Sequence, residues 1–306
     1  MDRASIGYTE PLFVMPFDHR GSFQAQMFGI RDREPTDDET RLVASYKRIV
    51  YDGLLEALAG GAPKDKAAIL VDEQFGAECA EDAVQQGIKL AMCAEKSGQN
   101  EFDFEYGEQF GEHIARFRPD FVKVLVRYNV EANGETNRRQ ADRLARLSDY
   151  CHQHGHKYMF ELLVPPTDEQ LARLGGDRKR YDLETRAGLM EQAIAELQNA
   201  GVEADIWKLE GLDESSQYRA IVQQARHGGR DRVGMIVLGR GENAEKVDHW
   251  LCVGGTVSGV IGFAVGRTVF WDALTGFRDG KHNREAAVTM IGNTYTRFVR
   301  LFTETR

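Results

Sequence analysis

Short apolar runs alternate with longer stretches of helical period along the whole 306-residue chain. The runs LFVMPFD (12–18), AAILVDE (67–73), IKLAMCA (88–94), FVKVLVR (121–127), KYMFELL (157–163), DIWKLE (205–210), RVGMIVL (232–238) and VSGVIGFA (257–264) read as strands. Between them, amphipathic segments at 38–60, 137–154, 182–200 and 213–227 predict helices, and a last helix is predicted over 284–304. Gly155 and Gly201 stand where a helix stops before the next strand, the position at which a left-handed residue closes the last turn. Strands alternating with helices imply a parallel sheet with right-handed crossovers. Eight such units predict a closed TIM (β/α)8 barrel with an extra C-terminal helix, although an open doubly wound sheet shares the same alternation. No repeat, low-complexity tract or linker divides the sequence, so residues 1–306 are expected to form one domain. The polar stretch 18–38 is expected to be a loop on the catalytic face.

Composition narrows the classes of partner. The formal net charge is −9, with 42% hydrophobic and 28% charged residues. That balance argues against nucleic acid, which needs a basic face, but leaves room for a small phosphorylated ligand in a local positive pocket. No apolar run approaches the roughly 18 residues of a membrane span. The first residues, MDRASIGYTEPLF, lack the apolar core of a secretory signal, so a cytoplasmic protein is expected. The four cysteines (Cys79, Cys93, Cys151, Cys252) form no CxxC pair, and reduced, packed thiols are expected in place of disulfides or a zinc site. The oligomeric state is left open, a homo-oligomer included.

Charge within apolar strands changes the picture most. A barrel carries its active site at the C-terminal ends of its strands. Asp18 ends the first strand, and Asp72 and Glu73 end the second. Lys123, Glu161 and Lys208 lie inside the fourth, fifth and sixth. Ionic side chains are rarely buried without partners, because desolvation is costly. Side chains alternate along a strand, so Lys123 shares a face with Leu125 and Arg127, Glu161 with Met159, and Lys208 with Ile206 and Glu210. If the opposite faces meet the helices, Lys123, Glu161 and Lys208 point into the lumen near its top, beside Asp18. Two lysines and two carboxylates suit carbonyl chemistry. A lysine whose ammonium is disfavoured by burial or by a second cation attacks a ketone, and the iminium accepts electrons from a breaking carbon–carbon bond. Glu161 or Asp18 would take the proton of the departing hydroxyl. A closed salt-bridge layer that only fills the lumen is the competing account.

The seventh and eighth strands run into Gly239-Arg240-Gly241 and Gly262-Phe263-Ala264-Val265-Gly266-Arg267. Loops at these places in a barrel commonly hold phosphate on backbone N–H groups and a helix start. Glycine admits the anion closely, and arginine adds a charge-assisted contact. Gly239, Gly241, Gly266 and Arg267 are the candidates.

These segments carry a resemblance. MPFDHRGSF around Asp18, ILVDEQFG around Asp72, FVKVLVRY around Lys123, FELLVPP around Glu161, DIWKLEG around Lys208, LGRG, and GFAVGRTVFWD around Arg267 follow one another in order. The chain resembles the class I (Schiff-base) tagatose-1,6-bisphosphate aldolase group. It resembles more closely the 5-dehydro-2-deoxyphosphogluconate aldolase domain often fused to the sugar kinase of myo-inositol catabolism. The resemblance implies a lyase with Lys208 as the Schiff-base lysine and Asp18, Lys123 and Glu161 as its catalytic neighbours. It also implies Arg267, Gly266 and Gly241 as phosphate ligands, and no cofactor or metal. The implied substrate is 5-dehydro-2-deoxy-D-gluconate 6-phosphate, cleaved between C3 and C4 to dihydroxyacetone phosphate and malonate semialdehyde. Its free carboxylate would need a cation opposite the phosphate. Arg20 and Arg127 are the candidates, with a rim arginine paired to Asp72 or Glu73 as the alternative. The chain departs from the tagatose enzymes in loop seven, which reads LGRGEN.

Two segments invite other readings. His152, His154 and His156 are expected to be solvated at a helix C-terminus, where cations are favoured, and not to bind metal. EFDFEYGEQFGE (101–112) is expected to form an amphipathic helix with a solvated acidic face. Two other functions compete: a non-catalytic phospho-metabolite sensor that keeps the phosphate site, and a phospho-sugar isomerase or epimerase that uses the carboxylates without an imine.

Overall fold

The computed structural model describes residues 3–306. Eight parallel strands close into a barrel in sequence order: β1 (Leu12–Pro16), β2 (Ala67–Val71), β3 (Lys89–Cys93), β4 (Phe121–Arg127), β5 (Lys157–Leu163), β6 (Ile206–Glu210), β7 (Gly234–Leu238) and β8 (Val260–Ala264), which pairs back onto β1. The closed sheet decides against the open doubly wound alternative. Several strands stop short of the apolar runs that predict them, because polar end residues take other duties. Asp72 leaves the ladder to cap helix Glu73–Gln86, accepting from the Phe75 amide. Asp205, fully buried at the foot of β6, accepts from the amides of Gly7 and Tyr158 and pairs with Lys157 and His152.

The side-chain alternation produces two cores. One lies between the strands and the helices and contains Val122, Val124, Phe160, Trp207 and Leu209. The other fills the lower lumen with Leu12, Val14, Ala68, Leu70, Ala91, Phe121, Met159, Ile206, Ile236, Ile261 and Ala264. Tyr8 packs edge-on against Phe121. Two residues further along β4, β5 and β6, the same lumen-facing positions become Lys123, Glu161 and Lys208. The apolar plug ends there and the charged layer begins.

The helices follow the predicted segments with two changes. The 182–200 stretch falls into Arg178–Glu184 and Arg186–Asn199, divided at Thr185, whose backbone leaves the helical region. The 101–112 segment is no helix over most of its length: the helix is Phe110–Phe117, after a tight turn at 107–109. Phe102 and Phe104 are both buried, and Phe104 bridges back to Glu95 as a strand-like pair. Their spacing of two is a strand period, and Gly107 sits at φ +52, which breaks a helix there. The 18–38 loop lies at the mouth as expected but carries a helical turn, Gly21–Phe23, continuing into a π-helical turn, Gln24–Phe28. Phe23 and Phe28 anchor it in an edge-to-face cluster with Tyr46, Phe270 and Trp271.

Gly155 and Gly201 have φ of +77 and +87, as their place after helix ends requires. The C-terminal helix Arg284–Glu304 crosses helix Asp37–Ala59 closely enough that a Cβ on Gly53 would lie 2.4 Å from the Ile291 side chain. No described helix is long and apolar enough to cross a membrane. The four cysteines are free thiols.

Candidate active site

The charged layer is built around Lys123. Its ammonium, 1% exposed, donates to Asp18 Oδ2 and Glu95 Oε1, each at 2.7 Å, and pairs with Glu161 Oε2 at 2.9 Å. Burial works against its charged form, but the three carboxylates outweigh burial and hold its pKa well above the ordinary lysine value. Among the described residues Lys208 pairs with a single carboxylate, Glu161 Oε2, at 2.8 Å. Burial raises the Asp18 and Glu161 carboxyls, yet the two lysines prevail and leave both below the usual range. Glu95 goes the other way. Burial raises it, and Lys123 and Arg20 recover only part of the rise.

The structure therefore brings Asp18, Lys123, Glu161 and Lys208 together, as the strand parity predicts, and adds Glu95, which lies two residues beyond β3. These five line a cavity of about 190 Å³ together with His19, Arg20, Ser22, Leu125, Arg127 and the 96–99 loop. A wider groove along the Gly21–Glu34 turn shares Arg20, Lys96, Ser97 and Gly98 with it.

Three expectations change. Asp72 does not line the cavity; it is fully buried as a helix cap and an ion-pair partner of Lys47 on helix Asp37–Ala59. Arg20 is buried and occupied, donating to Glu105 at 2.7 Å and to the Glu95 carbonyl at 2.6 Å. Neither it nor Arg127 pairs with Asp72 or Glu73; Glu73 binds His113 and Arg116 instead. Arg127 lines the cavity and donates to the Gln99 carbonyl at 2.6 Å. The histidine run lies at the end of helix Gly134–Gln153, but His152 is not simply solvated, since it pairs with Asp205 at 3.0 Å.

None of Gly239, Gly241, Gly266 and Arg267 lines the lysine cavity; Gly266 lies beside His19 and Gly241 beside Arg267, whereas Gly239 packs against Val247 and Val265. Helix Arg267–Arg278 starts there, its first amides lacking helical acceptors. A Cβ on Gly266 would lie 2.5 Å from the Pro16 carbonyl oxygen and 3.3 Å from His19 Cε1. Gly241, at φ +76, lies under Arg267; a Cβ there would meet its guanidinium carbon at 2.8 Å.

Among the described residues one group has metal-ligating spacing: Asp18, Cys93 and Glu95, with ligand atoms within 4.8 Å of one another. Lys123 already bridges its two carboxylates. Burial pushes the Cys93 thiol up, away from the thiolate that a metal binds. The donor set fits an internal ammonium better than a metal ion.

Burial pushes the His19 imidazole down from 6.5 to about 4, with Arg267 and Lys208 adding to the fall and Asp18 opposing it. The unfolded chain therefore binds a proton that the folded protein lacks across that window. His19's contribution to stability is complete above about 6.5 and is lost as pH falls toward 4. Denaturant titration of wild type and His19→Gln at about pH 7 and about pH 5 is expected to show the wild type losing more stability, by roughly 1 kcal/mol or more. Equal losses in the two proteins would remove the assignment.

An eight-stranded α/β barrel with a buried lysine–carboxylate cluster at its C-terminal mouth defines the class. The chain belongs to the family described as "uncharacterized protein conserved in bacteria (DUF2090)", whose model matches residues 4–306. No curated protein matches the sequence significantly. Among solved structures the fold is similar to that of Cgl0159 from Corynebacterium glutamicum, at 15% identity and TM-score 0.56, covering 96% of this chain and 87% of that one. It is also similar to a fructose-bisphosphate aldolase from Slackia heliotrinireducens, at 11% identity and TM-score 0.53, covering 96% and 88%.

Proposed function

We propose that the chain is a lysine-dependent (class I) aldolase that cleaves a phosphorylated keto sugar or keto sugar acid, with 5-dehydro-2-deoxy-D-gluconate 6-phosphate as the favoured substrate. The observation that carries the reading is the unequal treatment of the two lysines. Lys123 is clamped as an ammonium by three carboxylates, whereas Lys208 meets the cavity with one carboxylate partner. An amine that must lose a proton to attack a ketone is better served by Lys208. Glu161, in contact with both lysines, moves protons on and off the Lys208 nitrogen as the carbinolamine loses water. The Lys123 ammonium beside it helps to keep Glu161 ionised.

The helix start at Arg267, with Gly266 and the Gly239 and Gly241 turn, takes the phosphate. The Arg127 guanidinium, across the cavity wall on β4, faces the carboxylate end. The fold likeness to an aldolase is in keeping with this reading, and the family likeness read from the sequence supports it independently.

The test is borohydride reduction in the presence of dihydroxyacetone phosphate, followed by peptide mass mapping. A stable adduct on Lys208 is expected. An adduct on Lys123 would keep the chemistry and reverse the two lysines. Binding without any adduct would sink the imine mechanism in favour of a sensor or an isomerase.

A further inference from the structure

A ketone on Lys208 and a phosphate at the start of helix Arg267–Arg278 belong to one small ligand, yet neither Gly266 nor Arg267 lines the lysine cavity. His19 spans the two places. On one side it lines the cavity with Asp18, Lys123 and Lys208. On the other its ring packs edge-on against Phe270 of the helix, with the ring centroids 6.0 Å apart. Gly266, the residue before the helix, lets the imidazole come close, since a Cβ there would lie 3.3 Å from His19 Cε1. No side chain caps that helix. The two ring nitrogens are placed differently. Nδ1 is buried without a partner. Nε2 has no partner among the described residues either, but it keeps accessible surface and can meet a ligand.

We propose that His19 is the specificity-determining residue for the phosphate arm of the substrate, donating from Nε2 to an oxygen of that arm while the ketone carbon is held on Lys208. The assignment rests on the imine reading above and on phosphate at the helix start. It also names the ligand class: ketones that carry their phosphate ester on the carbon next to the carbonyl. In such a ligand one methylene and one ester oxygen separate the carbonyl carbon from phosphorus. An arm that short, running from Lys208 to the helix start, passes along the imidazole. Burial holds the pKa of the ring at about 4, with Arg267 and Lys208 adding to the fall and Asp18 opposing it, so the ring is neutral at ordinary pH. A neutral imidazole offers one N–H and one acceptor nitrogen. With the proton on Nε2, the ring gives an anionic phosphate oxygen a directed, charge-assisted hydrogen bond. A ketone that ends in a hydroxyl leaves that donor without its anion. Arg267 presses on the ring more than Lys208 does, in keeping with a place at the phosphate end.

The probes are dihydroxyacetone phosphate and dihydroxyacetone, each trapped on Lys208 with borohydride over a range of concentrations. The side-chain nitrogen of glutamine can take the place of Nε2, whereas that of asparagine reaches only the place of Nδ1. His19→Asn is therefore expected to lose selectivity. The half-saturating concentration of dihydroxyacetone divided by that of its phosphate should fall by roughly 10–100-fold. His19→Gln is expected to hold that ratio within about threefold of wild type. In deuterated water, exchange of the hydrogens on the hydroxymethyl carbon of dihydroxyacetone phosphate reports the enamine step. At low ligand concentration it should fall in step in His19→Asn. A ratio in His19→Asn within about threefold of wild type, or a loss shared equally by the two ketones, would overturn the assignment. If His19→Asn does not fold, His19→Leu, which fills a similar volume without a donor, is read in its place against the same outcomes. Two failures lie elsewhere, and each takes the role of His19 with it. No adduct in the wild type removes the imine reading, and a wild type without preference for the phosphorylated ketone removes the phosphate reading.

Discussion

Lys123→Met is expected to lower the stability of the protein by roughly 3–5 kcal/mol at neutral pH, the range found when one partner of a buried ionic cluster is removed. Lys123 lies 1% exposed between Asp18, Glu95 and Glu161. Removing its charge leaves three carboxylates facing one another, with Lys208 in contact with Glu161 at 2.8 Å and Arg20 3.9 Å from Glu95 Oε1. A whole domain is stable by roughly 5–15 kcal/mol, so the loss is a large share. The sign of the pH dependence follows. In the wild type, Asp18 and Glu161 titrate below their ordinary values, so their stabilisation is present above the unfolded carboxyl range and lost in acid. In the variant, crowded carboxylates titrate above it, and protonation relieves their repulsion as pH falls. The deficit of Lys123→Met against wild type, read from denaturant midpoints, should therefore shrink between about pH 7.5 and about pH 5. A deficit below about 1 kcal/mol at neutral pH would mean that the cluster is far better solvated than its burial indicates.

The barrel itself is legible in the sequence because each strand is a short apolar run with its own helix. The lumen cluster is legible for a related reason. An ionic residue inside an apolar run is expensive, and the period of two says which neighbours share its face. Lys123, Glu161 and Lys208 all meet that test, and they meet one another. Glu95 fails it only by position. It sits in the polar stretch EKSGQN after β3, where a carboxylate reads as loop, although extending the alternation Ala91, Cys93, Glu95 places it on the lumen face. Following parity two residues beyond each strand would have found it.

The same extension misleads at Asp72. Ala68 and Leu70 face the lumen, so Asp72 should follow them into the cavity. A carboxylate between a strand and a helix has a second outlet, however, and the free amides of helix Glu73–Gln86 take it. Its other partner, Lys47, comes from a helix 25 residues earlier, a pairing no local pattern encodes. Arg20 shows the same limit: its partner Glu105 lies in the 101–112 segment, whose acidic residues read as a solvated helix face. Local periodicity specifies the faces of single elements. Which loops cross the mouth and spend which charges depends on tertiary packing.

Lys208→Met is expected to reduce turnover by roughly 10⁴-fold or more while leaving the protein folded, and to abolish the dihydroxyacetone phosphate adduct without transferring it to Lys123. Methionine approximates the lysine stem, and Glu161 keeps Lys123 as a counter-ion at 2.9 Å, so no carboxylate is stranded. Loss of function is thus separated from loss of fold, which Lys123→Met does not allow. Lys123 is a poor substitute nucleophile, because freeing its nitrogen would strand Asp18 and Glu95 without their ammonium. The variant also discriminates among the competing functions. A sensor would bind dihydroxyacetone phosphate with or without Lys208, and showing no turnover in the wild type it would have none to lose. An isomerase working through carboxylates alone would keep hydrogen exchange in Lys208→Met, since no enamine on lysine is needed. An aldolase of the kind proposed loses exchange, adduct and cleavage together, because all three pass through one carbon–nitrogen bond.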